Sequence, residues 1–258
     1  MPASDKRSVP GTVQSARTLF EVLQCVKEGQ GKTVSEVSDN LDYARSTVHR
    51  HLRTLEELEY LVHRTDGYHL GLRFLELGMN ARDNYDGFEL IQNKVAEIAE
   101  TTGERCQFFV EEHGDAVYLA RSVGEHAVQT DPGIGSRIPL YAASAGKAIL
   151  AELTEQELSR YIEQTEFEQL TKKTITDPEV LRSELEDIRE RGYSFNRQET
   201  LCGTHAVGVA VTDPDGGAIG GLSVTGPSHR LKDEKFENEL PNLLLGAANE
   251  LELNIAFS

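Results

Sequence analysis

The 258-residue sequence has few cysteines and no long run of apolar residues. Cys25, Cys106 and Cys202 lie far apart, without the close spacing of a metal site. Such a sparse, odd set predicts free, buried thiols in a reducing compartment. No apolar run reaches the roughly 18 residues of a membrane-spanning helix, and the N-terminus lacks the apolar segment of a signal peptide. We therefore expect a cytoplasmic protein that does not span a membrane.

Lysine is also scarce: it supplies only 9 of the 26 basic residues, and the net charge is −17. Residues 1–80 hold 10 Lys and Arg against 11 Asp and Glu, whereas residues 81–258 hold 16 against 32. The nearly neutral first region can therefore still bind DNA. An acid-rich, lysine-poor composition is typical of proteins from salt-accumulating halophiles, whose dense carboxylates keep them in solution when salt screens repulsion. We expect a halophilic protein, and an ordinary acidic protein is the alternative.

Two predicted helices and a hairpin follow one another between residues 33 and 70. Thr33 and Glu36 form the capping box of the first helix. The second helix should run over residues 45–59, because apolar residues recur there at three- and four-residue spacing. Those residues are Val48, Leu52, Leu55 and Leu58. Asp66-Gly67, between two short apolar runs, predicts the turn of a hairpin.

The other face of the second helix carries basic and hydroxyl side chains and no acid before Glu56. A helix that enters the DNA major groove must present donors to base edges and phosphates. We therefore predict a winged helix-turn-helix, rather than an amphipathic helix with a merely solvated charged face. The candidate DNA contacts are Arg45, Ser46, Thr47, His49, Arg50 and Arg53 on the helix and Arg64 and His69 on the wing.

The remaining patterns divide the chain into four parts. We expect a disordered arm over residues 1–12, a winged helix-turn-helix domain over 13–80, a linker helix over 81–102 and an α+β domain over 103–258. A first helix over 15–28, capped by Ser15, should pack against the two helices of the DNA-reading motif. Its predicted apolar stripe is Ala16, Leu19, Phe20, Leu23 and Val26. In the last domain strands are predicted at 106–111, 116–122, 127–129, 194–198, 206–212 and 218–225, with a loop over 131–139 and helices at 142–151, 154–162, 177–191 and 233–254.

Several ordered segments of the chain resemble one known family, the IclR-type transcriptional regulators. They include V-Q-S-A-R-T-L-F-E-V-L, S-T-V-H-R-H-L-R-T-L, P-L-Y-A-A-S-A-G-K-A-I-L-A and G-G-L-S-V-T-G-P, and the resemblance covers nearly the whole chain. It implies a GAF-like effector-binding domain at 103–258 and a homodimer or homotetramer. It also implies that the protein binds a double-stranded DNA operator and controls a nearby catabolic operon in response to a small metabolite. The helices at 15–28 and 88–102 are the expected pairing surfaces.

The resemblance also implies an effector pocket with no cofactor and no metal. Carried over position by position, its residues are Ile138, Ser144, Ala145, Asn196, Thr204, Ala206, Ser223 and Thr225. Hydroxyls and the N-terminus of the helix that begins near Ser144 suit a carboxylate. Many family members have an acid in place of Asn196 and a cysteine in place of Ala206. No Lys or Arg belongs to this set, so a small organic acid or sugar-derived ligand is expected rather than a highly charged one.

An enzyme is the alternative reading. Glu199, Cys202 and His205 lie close together, but their spacing matches no catalytic signature that we considered. Ser144 and Lys147 resemble a Ser–Lys pair, although its companion motifs are absent. His49, His51 and His63 could suggest zinc, but His49 and His51 point to different helix faces. We therefore predict a regulator and no catalytic residues.

Overall fold

The computed structural model describes residues 11–29, 31–127 and 133–257. Contacts divide the chain into an N-terminal unit up to Ala81 and a C-terminal unit from Arg82. Most of the predicted arm and most of the strand predicted at 127–129 lie outside the described residues. The predicted α+β architecture, with an N-terminal winged helix-turn-helix, is confirmed.

The N-terminal unit packs three helices against a two-stranded wing. Its elements are α1 (Gln14–Lys27), α2 (Val34–Leu41), α3 (Arg45–Glu57), β1 (Leu61–Arg64), β2 (Gly67–Leu70) and α4 (Arg73–Asp83), the last of which continues past the unit boundary. Val22, Val37, Val48 and Leu52 are fully buried at the centre of this small core. The predicted α3 stripe therefore points inward, except that Leu58 lies beyond the helix and is half exposed.

The start and the inward face of α1 differ from the prediction. Val13, not Ser15, precedes the first helical residue, and no side chain caps this end. Phe20 is 60% exposed, whereas Val22, Cys25 and Val26 are buried. The same 3.6-residue period fits both sets, and packing against α2 and α3 selects the second one.

The hairpin forms where Asp66-Gly67 predicts it, but the glycine has a different role. Arg64 pairs with Gly67, so Thr65 and Asp66 form the turn and Gly67 begins β2. Gly67 has φ +129°, and a Cβ there would lie 2.7 Å from the backbone of Lys32. Two backbone hydrogen bonds join Lys32 to Tyr68 at this crossing. Glycine thus lets the wing strand pack directly on the segment that precedes α2.

The C-terminal unit is built on one antiparallel sheet of six strands. They are β3 (Arg105–Glu112), β4 (Asp115–Val123), β5 (Arg137–Pro139), β6 (Ser194–Arg197), β7 (Thr204–Thr212) and β8 (Ala218–Pro227), in the order β5-β4-β3-β8-β7-β6. β5 lies in the stretch predicted to be a loop. Three residues give too short an alternation to reveal a strand, and pairing with β4 defines it.

Helices cover both faces of this sheet. They are α5 (Phe88–Thr102), α6 (Ser144–Glu152), α7 (Glu155–Gln164), α8 (Pro178–Arg191) and α9 (Leu240–Ala256). One core joins α5 and α9 to the sheet, and a second core joins the opposite face to α6 and α8. Ile91, Val95 and Ile98 of α5 are buried in the first core. The apolar stripe of α5 is therefore used within this unit, and the expectation that residues 88–102 pair with a second copy stays a prediction.

Local sequence determines several helix ends. The capping boxes Thr33/Glu36 and Thr154/Glu157 both form, and Asp177 caps α8, which ends at Gly192. The helix predicted at 233–254 is instead a π-helical turn, Lys235–Glu239, followed by α9. Pro241 has no N–H to continue the earlier turn, which explains the change in hydrogen bonding at this point.

Candidate nucleic-acid interface and effector cavity

α3 presents one continuous polar face to solvent. Arg45, His49 and Arg53 follow one another at four-residue spacing, and Ser46 and Arg50 form the adjacent row. All five side chains are exposed, and Thr47 beside them is partly buried. The predicted helix residues are therefore brought together on a surface that a DNA groove could receive.

The start of α3 adds to the positive potential of this face. Its first turn contains no acid, and Ala44, which precedes the helix, supplies no side-chain cap. The first backbone N–H groups of α3 therefore have no side-chain acceptor, and the helix dipole places a partial positive charge there. Phosphate groups bind well at helix ends of this kind.

The two predicted wing residues differ in their surroundings. Arg64 is exposed at the end of β1. His69 is partly buried, and its Nε2 lies 2.8 Å from Oδ1 of Asp66. The hydrogen bond from His69 holds the pKa of the Asp66 carboxyl below its ordinary value. His69 therefore braces the wing turn and already has a protein partner, whereas Arg64 extends into solvent.

In the C-terminal unit a cavity of about 230 Å³ lies between the sheet and the N-terminus of α6. It is lined by Arg105, Gln107, Phe109, Tyr118, Ile138, Ala143, Ser144, Asn196, Thr200, Leu201, Thr204, Ala206, Ser223 and Thr225. Seven of the eight predicted effector residues are in this lining. Ala145 is the exception, because it is buried one position further into α6.

Strand register explains why these distant residues meet. Arg105 pairs with Thr225, which pairs with Ala206, which pairs with Asn196, so four strands contribute one row across the sheet. A second row runs parallel to it through Gln107, Ser223, Gly208 and Ser194. Paired residues point to the same face, and both rows therefore face α6.

Gly208 sets how closely α6 approaches the second row. A Cβ at this position would lie 2.3 Å from the backbone N of Ala145, so no larger residue fits without moving the helix. The close approach brings Oγ of Ser144 to 2.9 Å from Oγ of Ser223, in a buried hydrogen bond. Ser194 donates a hydrogen bond to the carbonyl of Ser144. The N-terminus of α6 is therefore fixed over the sheet beside the cavity.

Two of the predicted polar residues are largely occupied by protein partners. Asn196 donates to the carbonyl of Ala142 at 2.8 Å and to Oγ1 of Thr200, and its Oδ1 accepts from the N–H of Glu199. Thr225 accepts a hydrogen bond from Nε2 of Gln107 at 3.0 Å. Asn196 therefore helps to shape the cavity wall, and its part in binding an effector stays a prediction.

Sequence reasoning missed the residues that β3 and β4 contribute. Arg105, Gln107 and Phe109 alternate along β3 and line the cavity, with Tyr118 of β4 packed against Phe109 at 4.3 Å between ring centroids. The eight residues carried over from the resemblance therefore omit an arginine that lines this cavity. Arg105 is 8% exposed, and burial lowers its pKa, yet a guanidinium remains charged at neutral pH. The period-two alternation over residues 105–109 is the sequence signal that could have placed these three side chains on one face of a strand.

Three of the residues considered for catalysis have structural partners. Nζ of Lys147 lies 2.7 Å from Oε2 of Glu199, and both side chains are buried. Burial raises the pKa of Glu199, in opposition to the charge of Lys147. His205 is bonded through Nδ1 to the carbonyl of Leu231 and stacks on Phe236.

Cys202 is exposed, in contrast to the predicted burial of all three thiols, whereas Cys25 and Cys106 are buried as expected. Burial raises the pKa of the Cys106 thiol. No metal-binding cluster of His, Cys, Asp or Glu occurs in the described part of the chain. None of the helices within residues 11–29, 31–127 and 133–257 combines the length and apolar character that a bilayer crossing requires.

A winged helix-turn-helix in one chain with an α/β domain that holds a cavity is typical of one class of protein, the DNA-binding transcriptional regulators. Residues 15–65 match the IclR helix-turn-helix domain, and residues 79–253 match the bacterial transcriptional regulator IclR C-terminal domain. The chain belongs to the IclR family and is a DNA-binding transcriptional regulator.

Individual relatives agree over almost the full length. The chain is 29% identical to a protein named probable HTH-type transcriptional regulator ArcR from Halobacterium salinarum, with 98% of each chain covered. It superposes on the crystal structure of IclR from Thermotoga maritima with a TM-score of 0.80 and 29% identity, over 94% of this chain and 98% of that one. An IclR homologue from Microbacterium hydrocarbonoxydans, crystallised with 4-hydroxybenzoate, shares the fold at a TM-score of 0.78 and 22% identity, over 95% and 100%.

Proposed function

We propose that a small organic acid or sugar-derived metabolite binds the cavity of the C-terminal unit and thereby sets the affinity of the N-terminal unit for a DNA operator of a catabolic operon. The observation that carries this proposal is the cavity itself. Its lining comes from six strands and the start of α6, and it combines a cation and hydroxyls with an apolar wall. Enclosed sites with a few converging polar groups are the usual form of small-molecule sites.

DNA recognition is assigned to the exposed face of α3, with Arg64 of the wing on the phosphate backbone. The support is the exposure of five of the six predicted side chains and the uncapped N-terminus of α3. A ligand can change DNA affinity only by its differential affinity for two arrangements of the protein, typically about 1–3 kcal/mol. No catalytic role is proposed for Lys147, Glu199 or His205, because each side chain is held by a structural partner.

We also propose that the working form is a homodimer, with α4 as a pairing element. Leu75 and Met79 lie one turn apart on this helix and Leu72 directly precedes it; the three side chains are 58%, 44% and 83% exposed. A row of exposed apolar residues on one helix marks an interaction surface. Two copies would also read two half-sites at about 34–36 Å spacing. Sedimentation of the full chain should show a dimer that Leu75→Glu with Met79→Glu converts to monomer, and a wild-type monomer would contradict the assignment.

We place this regulator in the cytoplasm of a halophile, where the chromosome is bathed in concentrated salt. The support is the excess of 32 acidic over 16 basic residues in positions 81–258 and the scarcity of lysine. Ordinary DNA binding weakens by about 0.9 log units per neutralised phosphate for each tenfold rise in salt. Here the operator affinity should fall much less between 0.1 and 1 M KCl. A steep ordinary loss would contradict the halophilic assignment.

Cavity filling tests the effector site directly. Ala206 is small, buried and part of the lining, so Ala206→Leu should occupy the cavity. Calorimetry against a panel of small carboxylates and sugar acids should show binding to wild type and at least tenfold weaker binding to this variant. Ala96→Leu, on the exposed face of α5, is the matched control. A ligand that binds all three proteins equally would place the site elsewhere.

A further inference from the structure

One wall of the cavity is formed by the segment that joins β6 to β7. Residues 198–203, which we name the cavity strap, contain no helix or strand, and Thr200 and Leu201 belong to the cavity lining. Leu201 is 47% exposed, and Cys202 beside it is also exposed. The cavity strap therefore lies at the boundary between the cavity and solvent.

A buried acid, Glu199, anchors the cavity strap at its base. Its N–H donates to Oδ1 of Asn196 at 2.8 Å, and its carbonyl accepts from the hydroxyl of Thr174 at 2.6 Å. Its Oε1 accepts from the N–H of Arg197 at 3.2 Å. Glu199 is 6% exposed, although the residues that follow it in the strap face solvent. The attachment of the strap to the rest of the unit is therefore concentrated on this one residue.

The side chain of Glu199 reaches a cation on the facing wall of the cavity. Its Oε2 lies 2.7 Å from Nζ of Lys147 in α6, and the Lys147 side chain is 1% exposed. Ser144, one turn earlier on α6, lines the cavity from that side. The ion pair therefore joins two walls of the cavity, although neither of its members is among the described lining residues. Because separating a buried ion pair is strongly unfavourable, this contact opposes movement of the strap away from α6.

The rest of the cavity strap is suited to local movement. The N–H of Gly203 donates to Oε1 of Gln198 at 3.0 Å, so a hydrogen bond joins the two ends of the strap. The tip between them can be displaced while β6 and β7 stay paired. Local opening of this kind requires less free energy than global unfolding, because few buried contacts are lost.

From this arrangement we propose that Lys147 and Glu199 are positioning residues whose ion pair holds the cavity strap closed over the cavity. The inference rests on the proposed effector function only for its consequence, which is that the pair sets how readily an effector enters and leaves. An apolar pair of similar volume can match the stability of a buried ion pair, but it lacks the directional, charge-assisted bond. The role assigned to the pair is therefore the placement of the strap, beyond any contribution to stability.

A thiol inside the cavity measures how often the cavity strap opens. Ala206 is 5% exposed and lines the cavity, so the thiol introduced by Ala206→Cys reacts with methyl methanethiosulfonate only when the reagent can enter. Cys202→Ser removes the exposed native thiol. Cys106 is fully buried in the core on the opposite face of the sheet and reports global unfolding of the same unit. Mass spectrometry gives the ratio of the reaction rate at position 206 to the rate at Cys106.

Two buried lysines provide a matched comparison. Lys147→Met should raise the ratio of rates at least about tenfold, because it removes the charged partner of the strap. Lys94 of α5 is also paired with two carboxylates, those of Glu97 at 2.6 Å and Glu250 at 2.7 Å, and its side chain is 10% exposed. Since α5 covers the opposite face of the sheet, Lys94→Met should lower stability without changing the ratio.

A double variant separates placement of the strap from stability. In Lys147→Met with Glu199→Leu the melting temperature should return towards that of wild type, whereas the ratio of rates should stay raised. A ratio that returns to its wild-type value in this variant, or that rises equally in Lys94→Met, overturns the proposal. The proposal also falls if, without these changes, the thiol at position 206 reacts as fast as native Cys202, since the strap would then not close the cavity.

Failure of this inference can be distinguished from failure of the proposed function, because no ligand takes part in the labelling. If a ligand binds Ala206→Leu as tightly as wild type, the cavity is not the effector site, and the labelling result still decides what holds the strap. If Lys147→Met leaves the labelling ratio unchanged, the ion pair has no positioning role, and the proposed effector site is unaffected.

Discussion

The two candidate sites of this chain are built in opposite ways. The DNA-reading face consists of neighbouring residues on one exposed helix, and three of its side chains are arginines. The candidate effector cavity takes one to three of its described lining residues from each of six strands, and these include one arginine, which is buried. In the first site each side chain acts almost independently in water. In the second, every contact depends on sheet register and on the position of α6.

This contrast predicts how far the effect of a substitution spreads. Exposed charges are screened, so replacing one of them changes local binding and little else. Buried groups are coupled through packing and low dielectric, so replacing one of them changes stability and geometry together. The predictions below compare matched positions, within one unit or between the two, beginning with the largest expected effect.

The largest difference is expected between a buried ion pair of the C-terminal unit and an exposed pair of the N-terminal unit. Lys147 and Glu199 are 1% and 8% exposed, whereas Arg73 and Glu59 are 44% and 82% exposed. Glu199→Gln should cost roughly 3–5 kcal/mol, towards the lower end because Glu184 lies 3.8 Å from Nζ of Lys147. Glu59→Gln should cost less than about 0.5 kcal/mol.

Urea unfolding followed by circular dichroism measures both losses, with separate transitions fitted for the two units. A double variant, Lys147→Met with Glu199→Leu, should recover much of the stability, because it removes both buried charges. If Glu199→Gln and Glu59→Gln lower the free energy of unfolding by equally small amounts, burial does not determine how much each ion pair contributes to stability.

A second comparison uses two glycines of the C-terminal unit. A methyl group at Gly208 would collide with the backbone of α6, whereas nothing lies within 4 Å of a Cβ at Gly246 in α9. Gly208→Ala should therefore lower the free energy of unfolding by about 1–3 kcal/mol and weaken effector binding. Gly246→Ala should raise it by about 0.5–1 kcal/mol, because alanine is the better helix former. Thermal melting with and without ligand measures both, and a neutral Gly208→Ala would contradict the packing argument.

The third comparison tests whether a substitution on the exposed face of α3 changes DNA affinity without changing folding stability. Arg50→Ala should weaken binding to an operator selected from random duplexes by about 1–3 kcal/mol if its guanidinium contacts a base edge, with no change in folding stability. Lys27→Ala, at the exposed end of α1, is the control for loss of one positive charge. Fluorescence anisotropy measures the affinities. Unchanged operator affinity in Arg45→Ala with Arg50→Ala would refute the assignment of α3.

The same contrast explains what could be predicted from sequence. The capping box at Thr33 and the 3.6-residue stripe of α3 are local signals, and they give the reading helix and its polar face directly. Arg105 was missed because its place in the cavity depends on pairing with Thr225, which lies 120 positions later. The effector residues that were foreseen came from the family resemblance, since no spacing rule relates positions on β5, β6 and β8.

Errors of orientation have the same origin. Phe20 and Val22 both satisfy a helical period on α1, and only the packing of α2 and α3 decides that Val22 points inward. The inward stripe of α5 was predicted correctly, but the sequence did not show that the sheet is the surface it packs against. Periodicity identifies a face, and it does not identify the partner of that face.

The smallest predicted effects concern the capping box, a motif that occurs once in each unit at the positions compared here. Thr33 with Glu36 and Thr154 with Glu157 form the same reciprocal pair of hydrogen bonds, with Oε2 accepting from the threonine N–H at 2.8 and 3.0 Å. Thr33→Ala and Thr154→Ala should each cost about 1 kcal/mol. Ser15→Ala should cost almost nothing, because Ser15 does not cap α1.

Acid titration sharpens this comparison. Hydrogen bonds from the threonine backbone and side chain hold the pKa values of Glu36 and Glu157 below the ordinary value of 4.5. A carboxyl group with a lowered pKa in the folded state stabilises the protein fully above its unfolded pKa, and this contribution disappears as the pH falls through the folded value. The difference in melting temperature between wild type and each threonine variant should therefore be constant near neutral pH and shrink below about pH 4.5 in both units. A difference that persists unchanged in acid would mean that the threonine hydroxyl alone, and not its reciprocal bond with glutamate, stabilises these helix ends.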